Sequence, residues 1–382
     1  MRVVHVYRTY FPDPPGGLQE AIRQIALSTR ERGVDARILT LSPNPTPTVV
    51  DYPEGQVIRE KSWAAPASCD LGGPGSVSRY REMAGWADVV HFHFPWPFAD
   101  VLHLLGRTKK PTVMTYHSDI VRQKLLGAVY GPLMRRTLRS MSAVVATSPA
   151  YARTSETLAA CVSKERLKTI PLGIIDYRDV PQPADAQRNL EARLGLADGE
   201  PYFLALGVLR YYKGLHTLVE AARQVKAKIV IAGSGPERER LAALAQQHGA
   251  TNVVFAGQVT HEEKVALLKG CRAMVLPSHL RSEAFGMVLV EAAMFGKPMV
   301  CCEVGSGTSF VNEDGVTGWV VAKEQAPDLA RAMNALLADD ALAAAMGRAA
   351  RTRYERLFSG EALGKAYSAL YQDVTQSHQG KG

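Results

Sequence analysis

Several features that would point to other functions are missing from this sequence. No apolar run reaches the ~18 residues that a membrane-spanning helix needs, so the chain is not expected to cross a bilayer. Its start, MRVVHVYRTYFPDPPGG, has one early arginine and a short strand-like run that ends at Pro12, which is not the pattern of a signal peptide. The five cysteines, Cys69, Cys161, Cys271, Cys301 and Cys302, form no CxxC pair. Reduced core thiols in a cytoplasmic protein are expected rather than a zinc ribbon or redox pair. No Asp-x-Asp pair occurs anywhere, which removes the usual means of holding a divalent ion on a nucleotide diphosphate. Repeats and low-complexity tracts are absent too.

The 382 residues exceed what one core accommodates, and 46% hydrophobic with 21% charged residues excludes disorder, so two folded domains are expected. The formal net charge of +8 is uneven: residues 1–176 hold 22 Lys and Arg against 15 Asp and Glu. The basic excess is densest in RQKLLGAVYGPLMRRTLR, Arg122 to Arg139, where Leu125, Leu126, Val129, Leu133 and Met134 recur at helical spacing. This predicts an amphipathic helix with a basic flank, broken or kinked near Gly131 and Pro132. Such a surface suits anionic lipid or a phosphate-bearing acceptor, and equally a solvated face. No nucleic-acid module accompanies the charge, so nucleic acid is not an expected partner.

Strand-like runs alternate with helical stretches throughout. The first series is Val3–Tyr7, Ala36–Leu41, Asp88–Phe94, Thr112–His117, Ala143–Ser148 and Leu167–Ile174. A polar, turn-rich stretch follows, and the pattern restarts with Tyr202–Gly207, Lys228–Gly233, Val253–Gly257, Ala273–Ser278, Pro298–Glu303 and Gly318–Ala322. Continuous apolar strands joined by helices imply parallel sheets covered on both faces. The fold class is therefore α/β, with two doubly wound domains facing a central cleft and ligands beyond the carboxyl ends of the strands.

The loops at those ends carry the chemistry. PDPPGG (Pro12 to Gly17) precedes a helix, and Gly16 and Gly17 leave amides open to an anion; it is not GxGxxG, which argues against a dinucleotide dehydrogenase. A turn that needs glycine explains the loop as well. GVLRYYKG (Gly207 to Gly214) offers Arg210 and Lys213, two cations that fit a diphosphate. GSGP (Gly233 to Pro236) repeats the strand, turn, helix arrangement. His117 ends a strand, where an imidazole suits catalysis or sugar contact, although a lone histidine is more often structural. His91 and His93 alternate on one face, but no third metal ligand at suitable spacing accompanies them. In SEAFGMVLVEAAMFGKP, Glu283 and Glu291 bracket an uncharged apolar run. A carboxylate there costs several kcal/mol unless satisfied, by a ligand or by a structural partner, and spacing alone admits both.

Together these segments resemble the family 4 glycosyltransferases. The resemblance rests on SEAFGMVLVEAAMFGKP, with its two glutamates separated by seven residues, preceded by VLPS and followed by GSGTSFVNEDGVTGWVV. HVYRTYFPDPPGG, HFHFPWPFADVLHLL, TYHSDIVRQKLL, GVLRYYKGL and IAGSGP extend it over the whole chain. It is most similar to bacterial transferases that build lipopolysaccharide O-chains from GDP-mannose or GDP-D-rhamnose. The resemblance implies a GT-B fold of two Rossmann-like domains: an acceptor-binding domain over residues 1–176, a linker over 177–200, and a donor-binding domain over 201–360. A last helix near 361–376 would pack back on the first domain.

By matched position, the resemblance places Glu283 on the donor sugar and Glu291 on the ribose. Phe285, Gly286, Met287 and Val288 would supply backbone contacts, Lys213 with Gly16 and Gly17 would meet the diphosphate, His117 the transferred sugar, and Gln258 and Val259 the base. Where many members have an arginine after the first glycine of GVLRYYKG, this chain has Val208, and Arg210 stands two residues on. Catalysis would be retaining and metal-independent, with no cofactor, the leaving diphosphate itself assisting the acceptor hydroxyl. The acceptor, a lipid-linked glycan, would lie on the first domain near Tyr10, His93 and Trp96. The segment 122–139 would face the inner membrane surface, so the protein is expected in the cytoplasm or peripheral on that membrane. A UDP-sugar donor, a nucleotide-sugar 2-epimerase and a non-catalytic nucleotide-sugar-binding protein are the competing readings.

Overall fold

The computed structural model describes residues 1–13, 16–66, 69–119, 124–181, 183, 186–197 and 199–380, excluding the side chains of residues 124–129. Pro14, Pro15 and Arg122 thus lie outside the described residues, as do the side chains of Leu125, Leu126 and Val129. The chain divides into two compact units, one formed by Met1–Ile175 with Gly360–Gly382 and the other by Asp176–Ser359.

The first unit contains β1 (Arg2–Val6), β2 (Asp35–Ser42), β3 (Val49–Tyr52), β4 (Gly55–Ala64), β5 (Leu71–Gly72), β6 (Val89–Phe94), β7 (Thr112–Tyr116), β8 (Ala143–Ala146) and β9 (Leu167–Thr169). Their sheet order is β3-β4-β2-β1-β6-β7-β8-β9, with β5 paired to β4. All six runs expected from sequence are present. The last is shorter than expected: Ile170 N still donates to Ala146 O at 3.1 Å, but Pro171 has no N–H with which to extend the ladder. The hairpin of β3 and β4, turning at Pro53 and Glu54, is an addition that sequence reading passed over. The helix Lys124–Ser140 continues through Pro132 rather than breaking there.

Helix Gly360–Gln379 supplies Leu363, Tyr367, Leu370, Tyr371 and Val374, spaced by three and four residues, to a core with Val3, Ile25, Val89, Val113, Ala143 and Val145. Burying one such leucine contributes about 1.5–3 kcal/mol. Gly364 permits the approach, because a Cβ there would stand 2.2 Å from the Ser28 carbonyl oxygen of helix Gly17–Arg30.

The second unit is a six-stranded sheet of β10 (Tyr202–Leu206), β11 (Lys228–Ala232), β12 (Val253–Gly257), β13 (Ala273–Leu276), β14 (Met299–Cys302) and β15 (Gly318–Val321). The order β12-β11-β10-β13-β14-β15 is wholly parallel. The chain moves outward in one direction after β10 and in the other after β13, so a crevice opens beyond their carboxyl ends. The stretch expected as a linker is built into this unit: helix Ala186–Leu194 packs beside helix His261–Gly270, and Arg193 donates to Glu263 at 2.7 Å. Cys161, Cys271, Cys301 and Cys302 are unpaired and buried; burial pushes the Cys271 thiol up to about 11 and Cys302 to about 12, which makes them inert. Among the described residues, no helix is long and apolar enough to cross a membrane.

Candidate functional site

In the second unit the loops after β10 and β13 meet at the crevice. A 3-10 turn, Tyr211–Lys213, follows β10 and sends the Lys213 side chain back over Gly207. Its Nζ donates to Glu283 Oε2 at 2.5 Å, and Ser278 Oγ donates to the same oxygen at 3.1 Å. Burial by itself would lower the Lys213 pKa, but the Glu283 charge and hydrogen bond outweigh it and hold it above the usual 10.5. The loop bearing Glu283 is fixed from behind by the segment after β14: Ser306 Oγ donates to Glu283 O and Gly307 N to Ala284 O.

Helix Met287–Met294 starts next. Its N-cap, Gly286, has φ of +87°, a conformation that favours glycine, and no side chain caps the helix. The first-turn amides of Met287 and Val288, both half-buried, are therefore open to an anion. Phe285 is buried, its ring edge-on to Phe358. One turn into the helix, Glu291 Oε1 accepts from Lys264 Nζ at 2.6 Å and Tyr177 OH at 2.8 Å. Both acids of the apolar run thus have structural partners, in each case a cation and a hydroxyl. Among the described residues, the second oxygen of each accepts no hydrogen bond. Lys264, Tyr177 and Ser278 were not singled out from the sequence, and the first two lie 27 and 114 residues from Glu291.

The other expected donor contacts fall on the same end of the sheet. Gln258 is exposed and accepts from Ser234 Oγ of the GSGP loop at 3.0 Å, with half-buried Val259 beside it. Arg210 is exposed and, among the described residues, makes no ion pair with Glu283, while Val208 is 52% exposed.

In the first unit, Gly17 opens helix Gly17–Arg30 with Gly16 as its uncapped N-cap, both exposed, and a Cβ added at Gly17 would touch nothing. The sheet register decides where the histidines go. His5 pairs with His91 across β1 and β6, and His93 pairs with Thr115 across β6 and β7, so period 2 puts His5, His91, His93, Thr115 and His117 on one face. All are buried. His117 Nε2 lies 3.1 Å from His93 Nδ1, and His93 Nε2 lies 3.0 Å from His5 Nδ1. His91 bridges Tyr371 OH and Thr115 Oγ1, each at 2.8 Å. Burial drives His5 and His117 down to about 3 and lowers His91 and His93 strongly, so the row is neutral near pH 7.

Two expectations are corrected here. Sequence spacing showed no third ligand for His91 and His93, but the fold brings in His5, and ligand nitrogens of the three lie within 4.8 Å of one another. Hydrogen bonds engage every nitrogen of these rings except His5 Nε2, and among the described residues no carboxylate joins them to offset a dication. His5 and His93 belong instead to a hydrogen-bonded chain with His117, and His91 is held separately by Tyr371 and Thr115. The proposed acceptor contacts also fail: Trp96 is 2% exposed and donates to Asp70 O, Tyr10 is fully buried and donates to Glu54, and His93 sits between His5 and His117. None offers a face to a sugar. Trp63, which the sequence reading missed, does: it is 69% exposed, near the carboxyl end of β4, with one part of its ring covering Gly73.

Each unit thus carries an uncapped, glycine-led helix start, at Gly16 in one and at Gly286 in the other, an arrangement able to take an anion, and comparison with known proteins gives the family. The model of the glycosyl transferase 4-like domain matches residues 16–173, and that of glycosyl transferases group 1 matches residues 186–353. The chain belongs to this glycosyltransferase family and has its GT-B fold. It is 40% identical to O-antigen chain mannosyltransferase C of Escherichia coli, over 99% of this chain and 100% of that protein. It is 45% identical to D-rhamnosyltransferase WbpZ of Pseudomonas aeruginosa, over 94% and 92%. Among solved structures, sucrose-phosphate synthase from Thermosynechococcus elongatus superposes with a TM-score of 0.79 at 24% identity, covering 98% and 99% of the two chains.

Proposed function

We propose that the chain is a retaining, metal-independent hexosyltransferase of lipopolysaccharide O-antigen assembly. It moves D-mannose or D-rhamnose from a GDP-sugar to a growing, lipid-diphosphate-linked polysaccharide. The observation that carries this reading is the 40% and 45% identity, over nearly the full chain, to an O-antigen mannosyltransferase and a D-rhamnosyltransferase.

In this reading the second unit holds the donor. Lys213 and the first-turn amides of Met287 and Val288 receive the charge that develops on the leaving diphosphate. Arg210, exposed on the same loop, adds to them. The open oxygen of Glu291 accepts from ribose hydroxyls, that of Glu283 from the sugar, and Gln258 with Val259 meets the base. Because Glu283 is held by a cation and a hydroxyl, it contacts the sugar rather than attacking it. The leaving phosphate oxygen takes the acceptor proton as the new glycosidic bond forms. The first unit contributes the amides of Gly16 and Gly17 to phosphate and His117 to the transferred sugar. We assign acceptor stacking to Trp63 and contact with the anionic membrane surface to Arg135, Arg136 and Arg139, all exposed on helix Lys124–Ser140.

Calorimetric titration with GDP and UDP tests the donor, and turnover of GDP-mannose or GDP-rhamnose with excess chelator tests the rest. Preference for GDP, chelator-resistant transfer and a product of unchanged anomeric configuration are expected. A clear preference for UDP sinks the mannose or rhamnose assignment, and an inverted product sinks the retaining mechanism.

A further inference from the structure

The imidazole row has a consequence for how His117 meets its ligand. A neutral imidazole donates from one nitrogen and accepts at the other. Once one ring of the chain His5, His93, His117 takes a tautomer, the hydrogen bonds at 3.0 and 3.1 Å fix the other two. Only two arrangements satisfy both links. In one, each N–H points toward His117, whose proton then sits on Nδ1. In the other, each points toward His5, which must carry its proton on Nε2. That atom is buried and has no partner. An orphaned buried N–H is rarer in folded proteins than an orphaned acceptor, so the first arrangement is favoured. The neighbouring ring is no exit for the second, because both nitrogens of His91 are taken by Tyr371 and Thr115.

We infer that His93, backed by His5, is a positioning residue for glycosyl transfer: the chain holds His117 with its proton on Nδ1, so that it offers an N–H donor to an oxygen of the transferred sugar. This rests on the reading above in which His117 meets that sugar. Nδ1 of His117 takes no hydrogen bond among the described residues, which leaves it for a ligand. Without the relay, the ring would be free to present a bare nitrogen, which can accept from a sugar hydroxyl but gives no N–H to the oxygen lone pair.

Nitrogen-15 spectra of histidine-labelled full-length protein at neutral pH, with no sugar present, read the tautomer directly. A protonated Nδ1 and bare Nε2 on His117 are expected, shifting toward the Nε2–H form in His93→Phe. Turnover in His93→Phe should fall roughly 10- to 100-fold with donor KM changed less than about twofold, while His93→Gln, which keeps a donor and an acceptor, should recover most of it. A bare Nδ1 in the unmodified protein overturns the positioning claim, and that measurement needs no variant to fold. If His93→Phe turns over at the unmodified rate, the catalytic claim is overturned. A His117→Ala protein that keeps full kcat removes the underlying reading of His117 instead, a failure the sugar-free spectra distinguish from failure of the relay.

Discussion

The two units bury polar chemistry at the carboxyl ends of their sheets in opposite ways. In the second, Glu283 and Glu291 stay in an apolar surround because Lys213 and Lys264 stand 2.5 and 2.6 Å away. In the first, His5, His91, His93 and His117 are enclosed with no counter-charge and are held neutral by burial. On the proposed reading, the unit that receives the anionic diphosphate keeps its cation charged and close. The unit that orients an uncharged sugar would do better with neutral donors, since a buried imidazolium would pair with phosphate instead. Charge pairing governs one half, and hydrogen-bond direction the other.

The comparison breaks most visibly at Lys213. Lys213→Ala leaves Glu283 buried and unpaired, at a cost of about 3–5 kcal/mol to the second unit, and should lower turnover by about 10²–10³-fold. Denaturant unfolding and steady-state rates check this. The double variant with Glu283→Gln should regain stability but not rate; if rate returns, Lys213 serves the fold alone. Next in size is the basic face of the first unit. Replacing Arg135, Arg136 and Arg139 by Ser should weaken sedimentation with anionic vesicles by about 1 kcal/mol per arginine at low salt, and unchanged binding ends the membrane assignment.

Acidification sharpens the contrast between neutral and paired burial. The folded pKa of about 3 for His5 and His117 lies below the ordinary 6.5, so the unfolded chain takes up protons first. Their stability is complete above pH 6.5 and lost as pH falls toward 3, about 2 kcal/mol for each ring at pH 5. Thermal melts of the first unit across that window should show the loss, with a shallower slope in His5→Gln. The smallest effect belongs to Trp63→Ala, where losing one ring face should raise the acceptor KM by roughly fivefold, about 1 kcal/mol, and leave GDP affinity unchanged in titration.

Much of the fold was legible because parallel strands are buried on both faces and so read as continuous apolar runs. All six runs of the second unit reappear as β10 to β15. Edge elements were not legible: β3 is half-exposed, and its alternation is too weak to stand out from a loop. At the site, the positions of Lys213, Glu283 and Gly286 were readable because each lies between a strand end and a helix start, where local sequence sets position, and that of Glu291 because a lone acid stands out one turn into an apolar helix. Their partners Lys264, Tyr177 and Ser278 were not, since nothing local links them to the acids. Tyr10 and Trp96 were misread for the same reason, because residue type shows that a ring can stack on sugar but not which side of it is covered.

The sequence by itself determined the alternation of strand and helix, the glycines that open helix starts and the two carboxylates that bracket an apolar run, all of which depend on neighbours within a few residues. Only the tertiary structure decided what those groups face. Parallel register put β1, β6 and β7 side by side, so that His5, His93 and His117, isolated in sequence, form one hydrogen-bonded row. Strand order brought the loop after β10 to the loop after β13, closing Lys213 onto Glu283. Hydrogen bonds and ion pairs act over about 3 Å, and which groups come that close is set by how distant segments pack.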